Sequence, residues 1–268
     1  MGGSLALALK EKYPHASIHG FARSRASFKR LTALALLDKV ERDPEALVSG
    51  SDIVILALPI YSVIEYIKKI APYLGKGTIV IDLGSSKALI ESTARKLLPR
   101  GVDFVGCHPL CGSEKSGAEY ARAALYKNTL CVITCAKKNR ATRVITKMWN
   151  TLGAKVICVS SRAHDRLLSA FSHLPHLVAF SLTAGAPTRV LPLIPASFKE
   201  LTRISGSPAQ VWADIFVSNK ENVLRDIGQF IKRISLFQRL IRKEDRKKLV
   251  RFIERINRTH KKITQYYS

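Results

Sequence analysis

The sequence predicts a Rossmann-like, doubly wound α/β domain followed by an all-α domain, on three observations. Continuous apolar runs such as Ile53-Val54-Ile55-Leu56-Ala57-Leu58-Pro59 alternate with helical stretches through the first 159 residues. Runs without polar alternation suit strands covered on both faces, as in a parallel sheet with helices on either side. Polar, Gly- and Ser-containing segments leave several of these runs, where ligands bind in such folds. Beyond Val159 strand signals give way to long helical periodicities. The chain is therefore divided into an α/β region, 1–159, and a helical region, 160–268.

Each element has its own local reason. Residues 2–13 place small residues first and charges last, which reads as a helix. Ala16-Ser-Ile-His-Gly-Phe-Ala22 alternates like a strand, and 24–37 is helical. Ser51-Asp52 opens the apolar strand at 53–59, and a helix follows at about 61–74. Gly75-Lys76-Gly77 is a turn before a second buried strand, Thr78-Ile79-Val80-Ile81-Asp82. A helix at 86–97 and a strand at Phe104-Val105-Gly106 continue the alternation, which implies parallel pairing. In the second region, 165–184 reads as one helix about 30 Å long. Leu236, Phe237, Leu240 and Ile241 mark an amphipathic helix whose other face is basic.

Composition narrows the class. Hydrophobic residues make up 47% and charged residues 24%, ordinary for a folded globular chain. Lys and Arg total 44 against 20 Asp and Glu, a net charge of +24 that favours anionic partners. Residues 220–268 alone hold 15 Lys or Arg against 5 acids. No apolar run approaches the ~18 residues that span a bilayer. No secretory signal opens the chain, so a cytoplasmic location is expected. Five cysteines, an odd number, suit a reducing compartment. Cys131 and Cys135 sit in a strand-like segment about 13 Å apart, too far to share one metal, and no metal site is expected.

Three strand ends carry chemistry. After the first strand come Arg23-Ser24-Arg25, where many dinucleotide folds place an acid on the ribose 2′-hydroxyl. A neutral Ala22 followed by two arginines suits a 2′-phosphate, hence NADP, with NAD as the alternative. Asp82-Leu-Gly-Ser-Ser-Lys87 leaves the second buried strand, with Gly84 allowing close approach and Ser85 offering a hydroxyl. Gly106-Cys-His-Pro-Leu-Cys-Gly-Ser-Glu-Lys-Ser-Gly117 leaves the third and puts His108 at a mouth where a general base belongs.

These segments resemble one family. His108-Pro-Leu-Cys-Gly-Ser-Glu-Lys-Ser-Gly117 is similar to the His-Pro-Met-x-Gly-Ser-Glu-Lys-Ser-Gly signature of prephenate dehydrogenases. Gly2-Gly3-Ser4-Leu5-Ala6 looks like the tail of that family's dinucleotide loop, and Asp82–Lys87 like its Asp-x-Gly-Ser-x-Lys. Ser172-His-Leu-Pro-His176 resembles its helical hallmark. Thr202-Arg-Ile-Ser, with Trp212-Ala-Asp-Ile215 and Asn219, resembles its Thr-Arg-Ile-Ala … Met-Trp-x-Asp-Ile … Asn segment.

The resemblance implies oxidative decarboxylation of prephenate to 4-hydroxyphenylpyruvate, or of arogenate to tyrosine. His108 matches the residue that takes the hydroxyl proton, and Ser85 one that orients that hydroxyl against the nicotinamide. Arg203 matches the substrate carboxylate clamp, and His176 a residue lining the substrate pocket. Glu114 matches an acid that orders the active-site loop, and Glu200 stands where many members have Asp. Gly2, Gly3, Arg23, Ser24, Arg25, Ala57, Pro59 and Ser85 fall at cofactor-binding positions. Trp212 reads as core, His173 as structural or pocket-lining, and His15, His19 and His260 as surface or packing residues. A homodimer packed through the helical region is implied.

One departure is large. The family's first strand and the first two glycines of its loop are absent, so this chain is expected to bind cofactor poorly. The retained site residues favour a start placed too late over a non-catalytic remnant. No chorismate mutase or regulatory segment is expected on either side. A nucleic-acid binder is the third reading, but no recognition motif or stacking aromatics accompany the charge, so only weak, salt-sensitive affinity is expected.

Overall fold

Three apolar runs form adjacent parallel strands, β3 (Ile53–Leu56), β4 (Ile79–Asp82) and β5 (Asp103–Pro109). The computed structural model describes residues 1–111, 117–135, 139–187 and 193–267. Every residue of β4 is buried, as a strand with covered faces requires. The sheet extends through β6 (Leu130–Thr134) to β7 (Lys155–Val159), in the order β3-β4-β5-β6-β7. Here the sheet departs from the expected all-parallel pattern: β6 runs antiparallel to β5, and β7 is parallel to β6. Between β5 and β6 the described chain forms only short 3₁₀ turns at Ala118–Tyr120 and Ala123–Tyr126. A parallel return calls for a longer crossover, normally a full helix.

Strands β1 (His19–Phe21) and β2 (Lys39–Glu41) pair in parallel as a separate two-stranded sheet. Among the described residues no strand joins this pair to β3. β2 and the short helix α3 (Pro44–Val48) were not expected from the sequence. Lys39-Val40-Glu41 offers one apolar residue, too little to register as a pattern.

Side-chain alternation sends each strand's residues to two cores. On one face Ile79, Ile81, Val105, Cys107 and Ile133 pack with Leu5 and Ala8 of α1 (Gly2–Lys12) and Ile145 and Trp149 of α6 (Arg140–Thr151). On the other, Val54, Leu56 and Val80 meet Val63, Ile67 and Ile70 of α4 (Ile60–Ile70) and Ile90 and Ala94 of α5 (Ala88–Leu97). Trp212 and Ile215 of α10 (Ala209–Ser218) join this second core. Helix α2 (Arg25–Ala33) follows β1, capped by Ser24, whose hydroxyl accepts from the Ser27 amide at 3.1 Å.

After β7 the described chain is helical. α7 (Ser161–Leu168), a π-helical turn (Ser169–His173) and α8 (Leu174–Ala184) make one continuous path. The expected single helix over 165–184 is present with this widened turn. Pro175, at the start of α8, has no N–H to give, and the Leu174 amide bonds back five residues to Ser169 O. By length and hydropathy alone Ser161–Ala184 reaches the bilayer-spanning threshold, against the expectation that no segment would. It carries buried His164, Asp165, Ser169 and His173, and the first two of these bond to His108 and to the start of α5, as described below. α9 (Ala196–Thr202) precedes α10.

Contacts divide the chain into two compact units, Met1–Lys220 and Glu221–Ser268. The second comprises most of α11 (Lys220–Arg242) and all of α12 (Arg246–Tyr267). Within it Phe237 and Phe252 meet edge to face, with centroids 4.9 Å apart, and Arg255 lies 5.2 Å from the Phe252 ring.

Candidate active site

Leu56, Asp82, Gly106, Thr134 and Val159 are register partners in one row across the sheet. At this row β4 breaks into Leu83-Gly84-Ser85, while β5 continues to His108. Alternation sends Cys107 to one face, where its Sγ accepts from Trp149 Nε1 at 3.4 Å. Gly106 and His108 share the opposite face. A Cβ on Gly106 would collide with Thr134 Oγ1 and lie 3.2 Å from Lys87 Cδ, so only glycine leaves room for that lysine.

Lys87 and Asp82 form a fully buried ion pair beneath these strand ends. Lys87 Nζ also donates to Cys107 O at 3.0 Å, and the Gly84 amide donates to Asp82 Oδ2 at 2.8 Å. Burial pushes the Asp82 carboxyl above the usual range, and Lys87 opposes that push. The pair fastens the Asp82–Lys87 turn, and with it Ser85, to the backbone of β5.

His108 is part-buried, and its Nδ1 lies 2.9 Å from His164 Nε2. His164 Nδ1 lies 2.8 Å from Asp165 Oδ1. The Asp165 carboxylate also accepts the Lys87 amide at 2.7 Å and the Ala88 amide at 2.8 Å, which caps α5. Asn219 Nδ2 donates to Asp165 O at 2.8 Å and stands 3.2 Å from His173 Nδ1. Burial, and then the neighbouring His164, Lys87 and His173, hold the His108 pKa well below its ordinary value. A neutral imidazole at a strand end is the form a general base requires.

A second group of residues comes from α8 to α10. The ring of His176 stacks on Trp212, with centroids 3.5 Å apart and planes 21° apart. Its Nδ1 donates to Ser172 O at 2.9 Å. In the neutral ring that leaves Nε2 as an acceptor. Burial, with Arg203 nearby, lowers its pKa. Arg203 and Glu200 are both exposed. Thr183 Oγ1 donates to Ser205 Oγ at 2.9 Å, tying the turn after Arg203 to α8. Trp212 is buried as core and His173 is buried and engaged, in line with expectation, while His15, His19 and His260 are exposed. Ser85 is half-buried at the end of β4, next to the strand that carries His108. Ser86 Oγ lies 2.8 Å from Ser218 Oγ, which links the same turn to α10. Glu114 lies outside the described residues.

The expected nucleotide positions lie at the ends of β1 and β3. A Cβ on Gly2 would stand 3.0 Å from Ala57 Cβ, and one on Gly3 3.2 Å from Ala121 Cβ. The first turn of α1 therefore packs directly against Ala57, the residue that follows β3. Such a glycine-lined helix start is suited to a phosphate. Arg23 and Arg25 are exposed beyond β1, while the Ser24 hydroxyl serves as the cap of α2. Pro59 sits at the start of α4. Gly2, Gly3, Ala57 and Pro59, with Arg23 and Arg25 beyond β1, are the residues that could hold a dinucleotide.

Sequence reasoning missed His164 and Asp165 as site residues. The only signal was a His-Asp pair in the first turns after the last strand. Its meaning depends on β7 ending in the same row as Gly106, which periodicity does not reveal.

Comparison with known proteins agrees with this geometry. Residues 5–158 match the family described as prephenate dehydrogenase, nucleotide-binding domain, and residues 160–255 match prephenate dehydrogenase, dimerization domain. A prephenate dehydrogenase of Bacillus subtilis is 28% identical over 95% of this chain and 71% of its own length. One from Lactococcus lactis is 32% identical over 95% and 72%. The crystal structure of Aquifex aeolicus prephenate dehydrogenase with hydroxyphenyl propionate and NAD+ superposes with a TM-score of 0.88 at 30% identity, covering 98% of this chain and 94% of the other. With both domains matched in order and the neutral histidine at the expected strand end, the chain belongs to the prephenate dehydrogenase family.

Proposed function

We propose that the chain catalyses NAD(P)-dependent oxidative decarboxylation of prephenate to 4-hydroxyphenylpyruvate, a step towards tyrosine. The observation that carries this reading is His108, neutral and part-buried at the end of β5, with Nδ1 already engaged and Nε2 left for substrate. A nicotinamide cofactor held at the ends of β1 and β3 would supply the hydride acceptor. His108 Nε2 takes the proton of the ring hydroxyl as hydride leaves the same carbon. Loss of CO2 then aromatises the ring, and the same nitrogen returns the proton to the phenolate oxygen. Ser85, fastened by the Asp82–Lys87 turn, orients the hydroxyl.

Arg203 holds a substrate carboxylate through its planar fork. His176 lines the pocket with its Nε2, and Glu200 and Glu114 contribute at the pocket rim and loop. Gly2, Gly3, Ala57, Pro59 and Ser85 hold the cofactor. Ala22 with Arg23 and Arg25 favours NADP over NAD. Residues 1–159 serve the nucleotide, and 160–268 serve substrate and self-association.

The test is the appearance of reduced nicotinamide when purified protein meets prephenate, with NADP and NAD compared and arogenate run in parallel. Turnover with prephenate is expected, with kcat falling at least ~100-fold in His108→Asn. Turnover unaffected by that substitution would overturn the assignment of the base. Faster turnover of arogenate would replace the substrate and keep the site.

A further inference from the structure

Two buried residues, His164 and Asp165, stand behind His108 with no part in the mechanism above. Both side chains are almost wholly out of solvent, at 0% and 1% exposure. Buried polar side chains this close to a base need a reason, and their hydrogen bonds supply one. Asp165 accepts two backbone amides, from Lys87 at 2.7 Å and Ala88 at 2.8 Å. Amides only donate, and the first turn of a helix favours negative charge, so this carboxyl group is an anion that only accepts. The third group on it, His164 Nδ1 at 2.8 Å, must then carry a hydrogen. When the His164 ring holds this one proton, its Nε2 presents a lone pair. The atom facing that lone pair at 2.9 Å is His108 Nδ1, which must donate. The proton of neutral His108 is thus fixed on Nδ1, and its Nε2 is bare.

We infer that His164 and Asp165 form a relay that selects this tautomer of His108 and supports the imidazolium formed when Nε2 takes the substrate proton. They are positioning residues, acting through His108. The inference rests on the reading of His108 as the base. The other charged groups bearing on His108 are Lys87 and His173, which disfavour a positive ring, while Asp82 is engaged with Lys87. The relay offers the positive ring an acceptor chain that ends on a carboxylate. No bond other than the substrate's is broken: the proton added at Nε2 leaves from Nε2, and the relay hydrogens return to their original atoms.

The fold explains why this pair can reach. β7 ends at Val159, level with Gly106 in β5, and Ser160 caps α7 by accepting from the Ala163 amide at 3.2 Å. The first turn of α7 therefore starts beside the strand ends and carries His164 back over β5. Asn219 holds the second turn through Asp165 O at 2.8 Å.

The experiment uses the full chain labelled with ¹⁵N-histidine and long-range ¹H–¹⁵N spectra at neutral pH, without ligand. His108 signals are assigned by their loss in His108→Asn. The expected wild-type pattern is a protonated Nδ1 and a bare Nε2. In His164→Phe, which keeps a ring but removes the acceptor, the His108 pattern should shift towards protonated Nε2. Its kcat should fall roughly 10–100-fold, as for other lost partners of an active histidine, with little change in KM for prephenate. His164→Gln keeps an acceptor oxygen and should restore both the tautomer and most of kcat. A wild-type His108 protonated on Nε2, or a tautomer unchanged in His164→Phe, would overturn the relay. Should His164→Phe fail to fold, the wild-type and His164→Gln spectra decide the matter alone. Because the tautomer is read without turnover, full activity in His108→Asn would remove the base and leave the relay measurement standing.

Discussion

A histidine that stays neutral inside a fold leaves a mark on stability as well as on catalysis. The pKa of His108 is held well below its ordinary value by burial, with His164, Lys87 and His173 adding to it. Below the unfolded value of ~6.5 the unfolded chain binds a proton there that the folded chain does not. Stability then rises with pH in that window, and it falls as pH drops below ~6.5 towards the folded value, by about 1.4 kcal/mol per unit of depression. The urea midpoint should therefore decline on acidification below neutrality, and His108→Gln should flatten that decline. An identical slope in the variant would show that other groups carry the linkage, His176 first among them, since burial lowers its pKa too. At this scale the sequence was informative where one residue type at a strand end has one chemical use, as with His108 and Ser85. It was silent on His164 and Asp165, whose role depends on a contact between His108 and His164, 56 residues apart, that only the register creates.

Strand ends and helix starts decide cofactor choice. β1 ends at Phe21, Ala22 is buried, and Arg23 and Arg25 stand exposed on either side of the cap residue Ser24. Neither arginine is committed to the α2 cap, which Ser24 provides. Exposed guanidinium groups where an acid would otherwise hold a 2′-hydroxyl should discriminate by charge. Arg23→Ala with Arg25→Ala is expected to raise KM for NADP about tenfold or more, equivalent to ~1.4 kcal/mol or more, and to leave KM for NAD nearly unchanged. Equal losses with both cofactors would show that the arginines support the fold of this corner instead. The strands β3 and β4 were legible because an unbroken apolar run has one good solution in a protein of this composition, although Ile53 and Ile55 of β3 are only partly buried where full cover was expected. The direction of β6 was not, because apolar periodicity is the same whichever way a strand runs. The π turn at Ser169–His173 escaped for a related reason: Pro175 announces an interruption, and the neighbouring helices decide whether it becomes a break or a widened turn.

For the whole molecule, charge and apolar surface pull association in opposite directions. Each chain carries a net +24, so two copies repel at long range. Yet the region that matches a dimerization domain leaves large apolar side chains bare, with Phe171 78% exposed, Leu224 65%, Leu201 63% and Ile241 61%. Fully burying one such side chain contributes about 1.5–3 kcal/mol, so a few of them together outweigh a screened repulsion. Salt separates the two terms, because the screening length falls from ~10 Å at 0.1 M to ~3 Å at 1 M and apolar burial does not depend on it. A homodimer is therefore expected by sedimentation at micromolar concentration, and it should tighten as salt rises. Phe171→Asp, which places a charge at one of these exposed apolar positions, should weaken it at least ~10-fold, or ~1.4 kcal/mol. Any affinity for a polyanion should move the opposite way and collapse with salt, because it depends on the basic helices releasing the counterions condensed on the polyanion. A chain that stays monomeric in both high and low salt would remove the dimer. One that dissociates as salt rises would show that ion pairs or a bound polyanion, and not the exposed apolar side chains, hold the copies together.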